Sequence, residues 1–190
     1  MTLSENGSTS SEVAEGEVGE LYLRGPNIFL GYHNNPTATA ECLSPDGWFR
    51  TGDVGFQDRV GNFYVTDRAK ELTKYNGFQV APAELEGILI GHDWVEDAGV
   101  VGFQSKDMHT ELPLAFVVAT AACKACKQSE DEKARQIVRW VDARVAYHKR
   151  LRAGVHFVTA IPKNPSGKVL RRLLKEEARK LQRANANAKL

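Results

Sequence analysis

The chain has almost no excess charge of either sign: 25 Lys+Arg stand against 24 Asp+Glu, leaving a formal charge of +1. That balance gives no argument for nucleic acid or for an acidic partner. No apolar run approaches the ~20 residues that a helix needs to span a bilayer. The opening residues, MTLSENGSTSSEV, lack a basic segment followed by an apolar one, so no secretory signal is expected. Cysteine is scarce, and the three present, Cys42, Cys123 and Cys126, cannot all pair within one chain. Cys123-Lys124-Ala125-Cys126 has the spacing of half a zinc site or a redox pair. With no second Cys pair or Cys/His pair nearby, the expectation is no metal site, and loop thiols in a reducing compartment.

What is present looks soluble and globular, with 42% hydrophobic and 26% charged residues in a chain of 190. That length allows one ordinary domain, or one domain with an appendage. Residues 1–15 are rich in Ser, Glu, Asn and Gly and short of apolar anchors, so a disordered or loosely attached tail is expected. Residues 18–24 read as a strand, Asn34-Asn35-Pro36 as a break, and 37–43 as a short helical stretch. Residues 48–50 and 54–57 read as strands either side of Thr51-Gly52-Asp53. Asp58-Arg59-Val60-Gly61 reads as a hairpin turn returning through 62–66, and Asn76-Gly77 joins a second hairpin, 71–75 against 78–80.

From Pro82 the hydrophobic period lengthens. Leu85, Ile88 and Leu89 share a helical face, with Pro82 suited to the first turn and Gly91 at the end. Residues 95–103 and 112–120 read as buried strands and 123–128 as loop. Ser129 with Glu132 makes a capping box ahead of a stripe of Ile137, Val138, Val141 and Val145. Residues 155–158 form a last strand, and Leu170, Leu173, Leu174, Ala178 and Leu181 stripe a final helix. The order after Lys70 predicts an α+β unit of helices on a short sheet. Residues 16–66, with little to bury their strands, read as a piece of a neighbouring domain.

Several constellations suit a hydroxyl-rich anionic ligand. Asp53, after Thr51-Gly52, suits vicinal hydroxyls, though it equally suits an Asx-type cap on its own turn. Arg68 and Lys70 lie in Asp67-Arg68-Ala69-Lys70, and Lys74 precedes Tyr75-Asn76-Gly77. Lys168 ends Pro165-Ser166-Gly167-Lys168, which places an ammonium at the tip of a flexible loop. The Gly-Lys pair is not a phosphate-binding P-loop, because the glycine-rich run and preceding strand are absent. The basic run from Tyr147 to Leu151 and the basic last helix (Arg171, Arg172, Lys175, Arg179, Lys180) read as solvated faces or as partners for phosphates. His33, His92, His109 and His156 read as structural or exposed.

Together, Thr51-Gly52-Asp53, Asp67-Arg68-Ala69-Lys70, Lys74-Tyr75-Asn76-Gly77 and Ile161-Pro162-Lys163-Asn164-Pro165-Ser166-Gly167-Lys168 resemble, in order and distance, the motifs of the adenylate-forming enzymes. These are the acyl- and aryl-CoA ligases with the beetle luciferases, and the match runs from about Gly16 to Arg172. The hinge region resembles the 4-coumarate–CoA ligase and luciferase branch. The resemblance implies a β-rich fragment of the large adenylation domain over 16–69, a C-terminal lid domain over 70–182 and a flexible tail over 183–190. It implies that Asp53 and Arg68 bind the nucleotide ribose and nearby phosphate, and that Lys70 is the hinge on which the lid turns. Lys168 would be the catalytic cation of adenylation. Lys74, Gly77, Phe78 and Gln79 would enter the site for thioester formation, Gly77 because it lacks a side chain. Asn76 and Thr73 depart from the Lys and Ile common there, and Tyr147-His148 departs from Pro-Tyr-Lys.

The cofactors implied are ATP/AMP, CoA and Mg²⁺, and the partners a carboxylic acid and CoA, with no nucleic acid and no membrane span. The large domain's phosphate loop, adenine pocket and acyl pocket find no match. The isolated chain is therefore expected to be inactive, with a non-enzymatic module pairing with itself or a ligase-like protein as the alternative, and a free-standing adenine-nucleotide binder as a third reading. Ala188-Lys189-Leu190 is a conservative variant of the Ser-Lys-Leu address, which predicts a peroxisomal import receptor as partner.

Overall fold

The computed structural model describes residues 2–3, 11–105 and 108–187. The chain falls into two compact units, Met1–Lys70 and Glu71–Leu190.

The first unit is an antiparallel sheet of β1 (Thr2–Leu3), β2 (Ser11–Glu12), β3 (Gly19–Leu23), β4 (Phe49–Gln57) and β5 (Phe63–Arg68), in the order β2-β1-β3-β4-β5. The stretch read as a loose tail thus contains two short strands, because backbone pairing along the β3 edge needs no apolar side chains. Helix α1 (Pro36–Cys42) starts on the residues read as a break: Asn35 Oδ1 accepts the Ala38 amide hydrogen at 3.0 Å, and Pro36 occupies the first turn. The segment read as two strands around Thr51-Gly52-Asp53 is one strand, β4, carried past Gly52 with a register shift between Val54 and Gly55. Asp58 organises the β4–β5 turn, its Oδ1 accepting from the amides of Val60 and Asn62 at 2.9 Å each. Val54 is the one buried apolar side chain among the unit's described residues, while Phe63, Tyr64 and Val65 stand exposed along β5.

The second unit is built on a three-stranded sheet of β8 (Val95–Ser105), β9 (Thr110–Ala119) and β10 (Val155–Val158), ordered β10-β9-β8. β8 and β9 run antiparallel, and β10 joins β9 in parallel. A two-stranded hairpin, β6 (Thr73–Tyr75) and β7 (Phe78–Val80), precedes it. Helices α2 (Pro82–Ile90) and α4 (Glu130–Asp142) bring Leu85, Leu89, Ile137 and Val141 to Ala98, Val100, Ala115 and Val117. Helix α5 (Arg171–Asn187) brings Leu174 and Ala178 to Val101, Leu114, Phe116 and Val118. The two residue sets alternate along β8 and β9, so the sheet is buried on both faces and its sequence is a continuous apolar run. The Ser129–Glu132 capping box forms as expected at the head of α4.

Residues read as loop after β9 form α3 (Ala121–Ala125), started by Thr120, whose Oγ1 accepts from the Cys123 amide at 3.3 Å. Cys123 consequently is buried, not a loop thiol, and burial pushes its pKa up. The Cys is an inert packing residue.

Of the basic residues of α5, Arg172, Arg179 and Lys180 are exposed, as a solvated face requires, but Arg171 is not. Arg171, with only 10% of its side chain exposed, sits between Glu86, itself 12% exposed, and Glu71, at 3.0 Å from each. The Glu71 contact is an ion pair rather than an aligned hydrogen bond. Glu86 Oε1 also accepts the Val100 amide hydrogen at 2.8 Å. Removing Arg171 would take the guanidinium from a nearly buried carboxylate, so Arg171→Met is expected to destabilise the chain by about 3 kcal/mol, read from the midpoint of urea unfolding.

His92 follows α2, its Nδ1 accepting from the Trp94 amide at 3.0 Å and its ring edge-on to Trp140. Burial lowers its pKa, with Asp93 opposing and Arg144 reinforcing the shift. The unfolded chain therefore binds this proton more readily than the folded one. The stability that His92 contributes is full above its unfolded pKa of about 6.5 and is lost as pH falls towards the lower folded value. Melting temperatures taken from pH 7.5 downward should fall less steeply in His92→Gln than in the parent chain.

Candidate functional site

In the first unit the strand register places Asp53 directly opposite Arg68 on β4 and β5, with Arg68 Nε 3.4 Å from Asp53 Oδ1. The two residues expected at the ribose are thus cross-strand partners. The pair is solvent-exposed enough to add little stability, so its carboxylate and guanidinium are available to a ligand. Asp53 is aimed by its own segment: its amide donates to Thr51 Oγ1 at 3.0 Å, and the Thr51 hydroxyl donates to the Leu21 carbonyl at 2.8 Å. One residue earlier, Arg50 makes a two-pronged contact with buried Glu20, at 2.8 and 2.9 Å. The Asx-type cap on Asp53's own turn is not what forms here; the cap at this turn is Thr51. Lys70, the expected hinge, is exposed and is the last residue of the unit.

In the second unit Lys74, Gly77, Phe78 and Gln79 all belong to the β6–β7 hairpin and are all exposed. Asn76 and Gly77 have φ of 45° and 81°, the paired left-handed conformation of a tight two-residue hairpin. The hairpin is gripped by residues that no local pattern marks. Thr110 Oγ1 accepts the Asn76 amide hydrogen and donates to the Lys74 carbonyl, both at 2.8 Å, and Glu111 Oε2 accepts the Lys74 amide hydrogen at 2.9 Å. These partners lie 34 to 37 residues away in sequence, which is why sequence reading missed them. Their only signal is polarity at the start of an otherwise apolar strand.

Lys168 stands on an ordered hairpin rather than a flexible loop. Lys163 and Val169 pair as an antiparallel bridge, and Asn164 Oδ1 accepts three hydrogen bonds: from the amide of Ser166 at 3.0 Å, its hydroxyl at 2.8 Å, and the amide of Lys168 at 2.8 Å. Gly167, at φ 81°, permits the turn. Lys163, at the base, reaches Asp97 at 2.7 Å. The sequence reading took Pro165-Ser166-Gly167 for flexibility and overlooked Asn164 as a side-chain acceptor that closes the turn.

The ammonium groups of Lys74 and Lys168 are exposed, and among the described residues neither enters an ion pair. Such a cation, unneutralised on a hydrogen-bonded turn, is chemically suited to meet an anion brought to it. Also among the described residues, no three His, Cys, Asp or Glu side chains gather to hold a metal ion.

Residues 84–168 match the AMP-binding enzyme C-terminal domain. The probable 4-coumarate–CoA ligase 2 of Dictyostelium discoideum is 44% identical over 168 residues, covering 88% of this chain and 29% of that protein. The luciferin 4-monooxygenase of Luciola mingrelica is 42% identical over 164 residues, covering 86% of this chain and 28% of that one. Among solved structures, ATP-bound MatB from Rhodopseudomonas palustris superposes with a TM-score of 0.76 at 31% identity, over 89% of this chain and 32% of that one. The chain therefore spans less than a third of the length of these relatives. Residues 84–168, which include the Lys168 turn, carry the AMP-binding enzyme C-terminal domain, and the relatives of the chain are 4-coumarate–CoA ligases and luciferase.

Proposed function

We propose that the chain supplies the lid domain, and the strands that precede it, of an ATP-dependent acyl- or aryl-CoA ligase. The observation that carries this is the Lys168 ammonium, exposed and without an ion-pair partner among the described residues, on a turn braced by Asn164 inside the matched domain. In the first step a carboxylate oxygen attacks the α-phosphorus of ATP and the bond to pyrophosphate breaks. Lys168 would neutralise charge gathering on the α-phosphate and carboxylate oxygens. Asp53 would accept from the ribose hydroxyls while Arg68, released from Asp53, turns to the neighbouring phosphate. In the second step the CoA sulfur attacks the acyl carbon and the bond to AMP breaks. A swivel of backbone at Lys70 would exchange the Lys168 turn for the Gly77 hairpin, with Lys74, Phe78 and Gln79 lining the approach of the thiol. Mg²⁺ would enter with the ATP phosphates, since the described residues gather no ligand set of their own.

The substrate pockets would be supplied by a large adenylation domain, so the chain by itself is proposed to be inactive. The exposed Phe63, Tyr64 and Val65 of β5, an edge strand, support a second reading, in which that edge pairs with another copy or another ligase-like protein. The Ala188-Lys189-Leu190 address lies outside the described residues. We propose it as the signal read by a peroxisomal import receptor, tested by whether its deletion moves the tagged protein to the cytosol.

The catalytic assignment is tested in a hybrid enzyme in which this chain replaces the matching segment of a 4-coumarate–CoA ligase. Lys168→Ala should slow ATP–pyrophosphate exchange at least about 100-fold, the loss expected for one transition-state cation, and an unchanged exchange rate overturns the assignment. Gly77→Ala separates backbone from ligand effects. A Cβ there meets nothing within 4 Å, so the stability loss is limited to about 1 kcal/mol of left-handed backbone strain. Thioester formation should fall much further than that strain explains, with pyrophosphate exchange retained.

A further inference from the structure

Phe78 is the one large aromatic of the β6–β7 hairpin left half in solvent, with 53% of its surface exposed. Its ring is nevertheless stacked: the His148 imidazole lies 4.5 Å away, centroid to centroid, at an interplanar angle of 14°. His148 is the middle residue of a 3-10 turn, Tyr147–Lys149, between α4 and β10. That turn is fastened on both sides. Lys149 Nζ reaches Glu84 of α2 at 2.7 Å, and the Arg152 guanidinium donates to the Tyr147 carbonyl at 2.9 Å. The same guanidinium lies 4.1 Å over the Tyr147 ring and 4.8 Å over that of Tyr75, on the hairpin itself. A turn held to α2 and β6 therefore offers one flat ring to the face of Phe78, the residue following Gly77. Among the described residues nothing else stacks on that ring.

We propose that His148 is a positioning residue for the thioester step, acting through Phe78 to hold the Gly77 turn at the height and tilt at which the thiol approaches. This rests on the reading of the hairpin given under Proposed function. Thr110 and Glu111 fix the β6 side and the turn through backbone hydrogen bonds. His148 would fix β7 through a side chain, so that both strands meet the acyl-adenylate in one conformation. The stack requires a planar ring and not a charge, which makes the substitution pattern diagnostic.

The test uses the same hybrid enzyme and follows the two half-reactions separately, pyrophosphate exchange for adenylation and CoA-dependent release of AMP for thioester formation. His148→Ala should lower the thioester rate about tenfold, the upper end of what one aromatic stack supplies, and leave pyrophosphate exchange unchanged. His148→Phe should restore it. In the chain alone, the His148 ring protons should show an upfield ring-current shift that disappears in Phe78→Leu. Equal loss in both half-reactions would mark His148 as a general structural residue and overturn the proposal, as would a thioester rate indifferent to His148→Ala. Neither outcome touches the ligase reading, which stands or falls on Lys168→Ala.

Discussion

The Glu86 carboxylate is the point on which the second unit turns. It sits on α2, accepts the Val100 amide hydrogen of β8, and faces Arg171 at the start of α5, which also faces Glu71. One carboxylate therefore ties a helix on one face of the sheet, the edge strand β8 and the helix on the other face, and through Arg171 the unit's first residue. An ion pair this sheltered contributes less to net stability than an apolar contact of equal size would, but removing either partner takes the main counter-charge from the other. It acts as a constraint of geometry. Because α5 begins three residues after Lys168, and Leu170 donates its amide to the Pro162 carbonyl at 2.8 Å, the base of the Lys168 turn inherits that constraint.

Around it the packing is simple. The sheet hides both faces, α2 and α4 against one and α5 against the other, and two exposed turns, at Gly77 and at Gly167, stand outside this packing. Each turn presents a lysine and a glycine with positive φ, and each is wired by side-chain hydrogen bonds rather than by burial, through Asn164 in one and Thr110 with Glu111 in the other. That separation lets the core stay rigid while the candidate site's groups project from it. The first unit is different: a sheet with a single buried apolar side chain among its described residues and an exposed aromatic strand.

Much of this was legible because the signals were local. Asn76-Gly77 fixes a two-residue hairpin by backbone sterics, Ser129 with Glu132 caps a helix within four residues, and the apolar run of β9 needs no partner to be recognised. What stayed hidden depended on tertiary contact. Asp53 and Arg68 read as separate clusters, and only the β4–β5 register makes them opposite residues. Arg171 read as one of a row of solvated cations until two carboxylates distant in sequence closed on it. Cys123 read as a loop thiol because no second Cys or Cys/His pair lies nearby to give the Cys-x-x-Cys stretch another role, whereas Thr120 and a pair of alanines start a helix there and the sulfur is buried. The motifs of the candidate site could be listed from the sequence; the hydrogen bonds that aim them could not.

The most direct measurement is mass-spectrometric detection of acyl-CoA after the purified chain is incubated with ATP, Mg²⁺, CoA and a panel of aryl and acyl acids. It would be run alone, and again with a separately produced large domain from one of the 4-coumarate–CoA ligase relatives. The account predicts no thioester from either piece alone and thioester from the mixture. Thioester made by the chain alone would contradict it, as would silence from every mixture in which the two pieces are shown to bind.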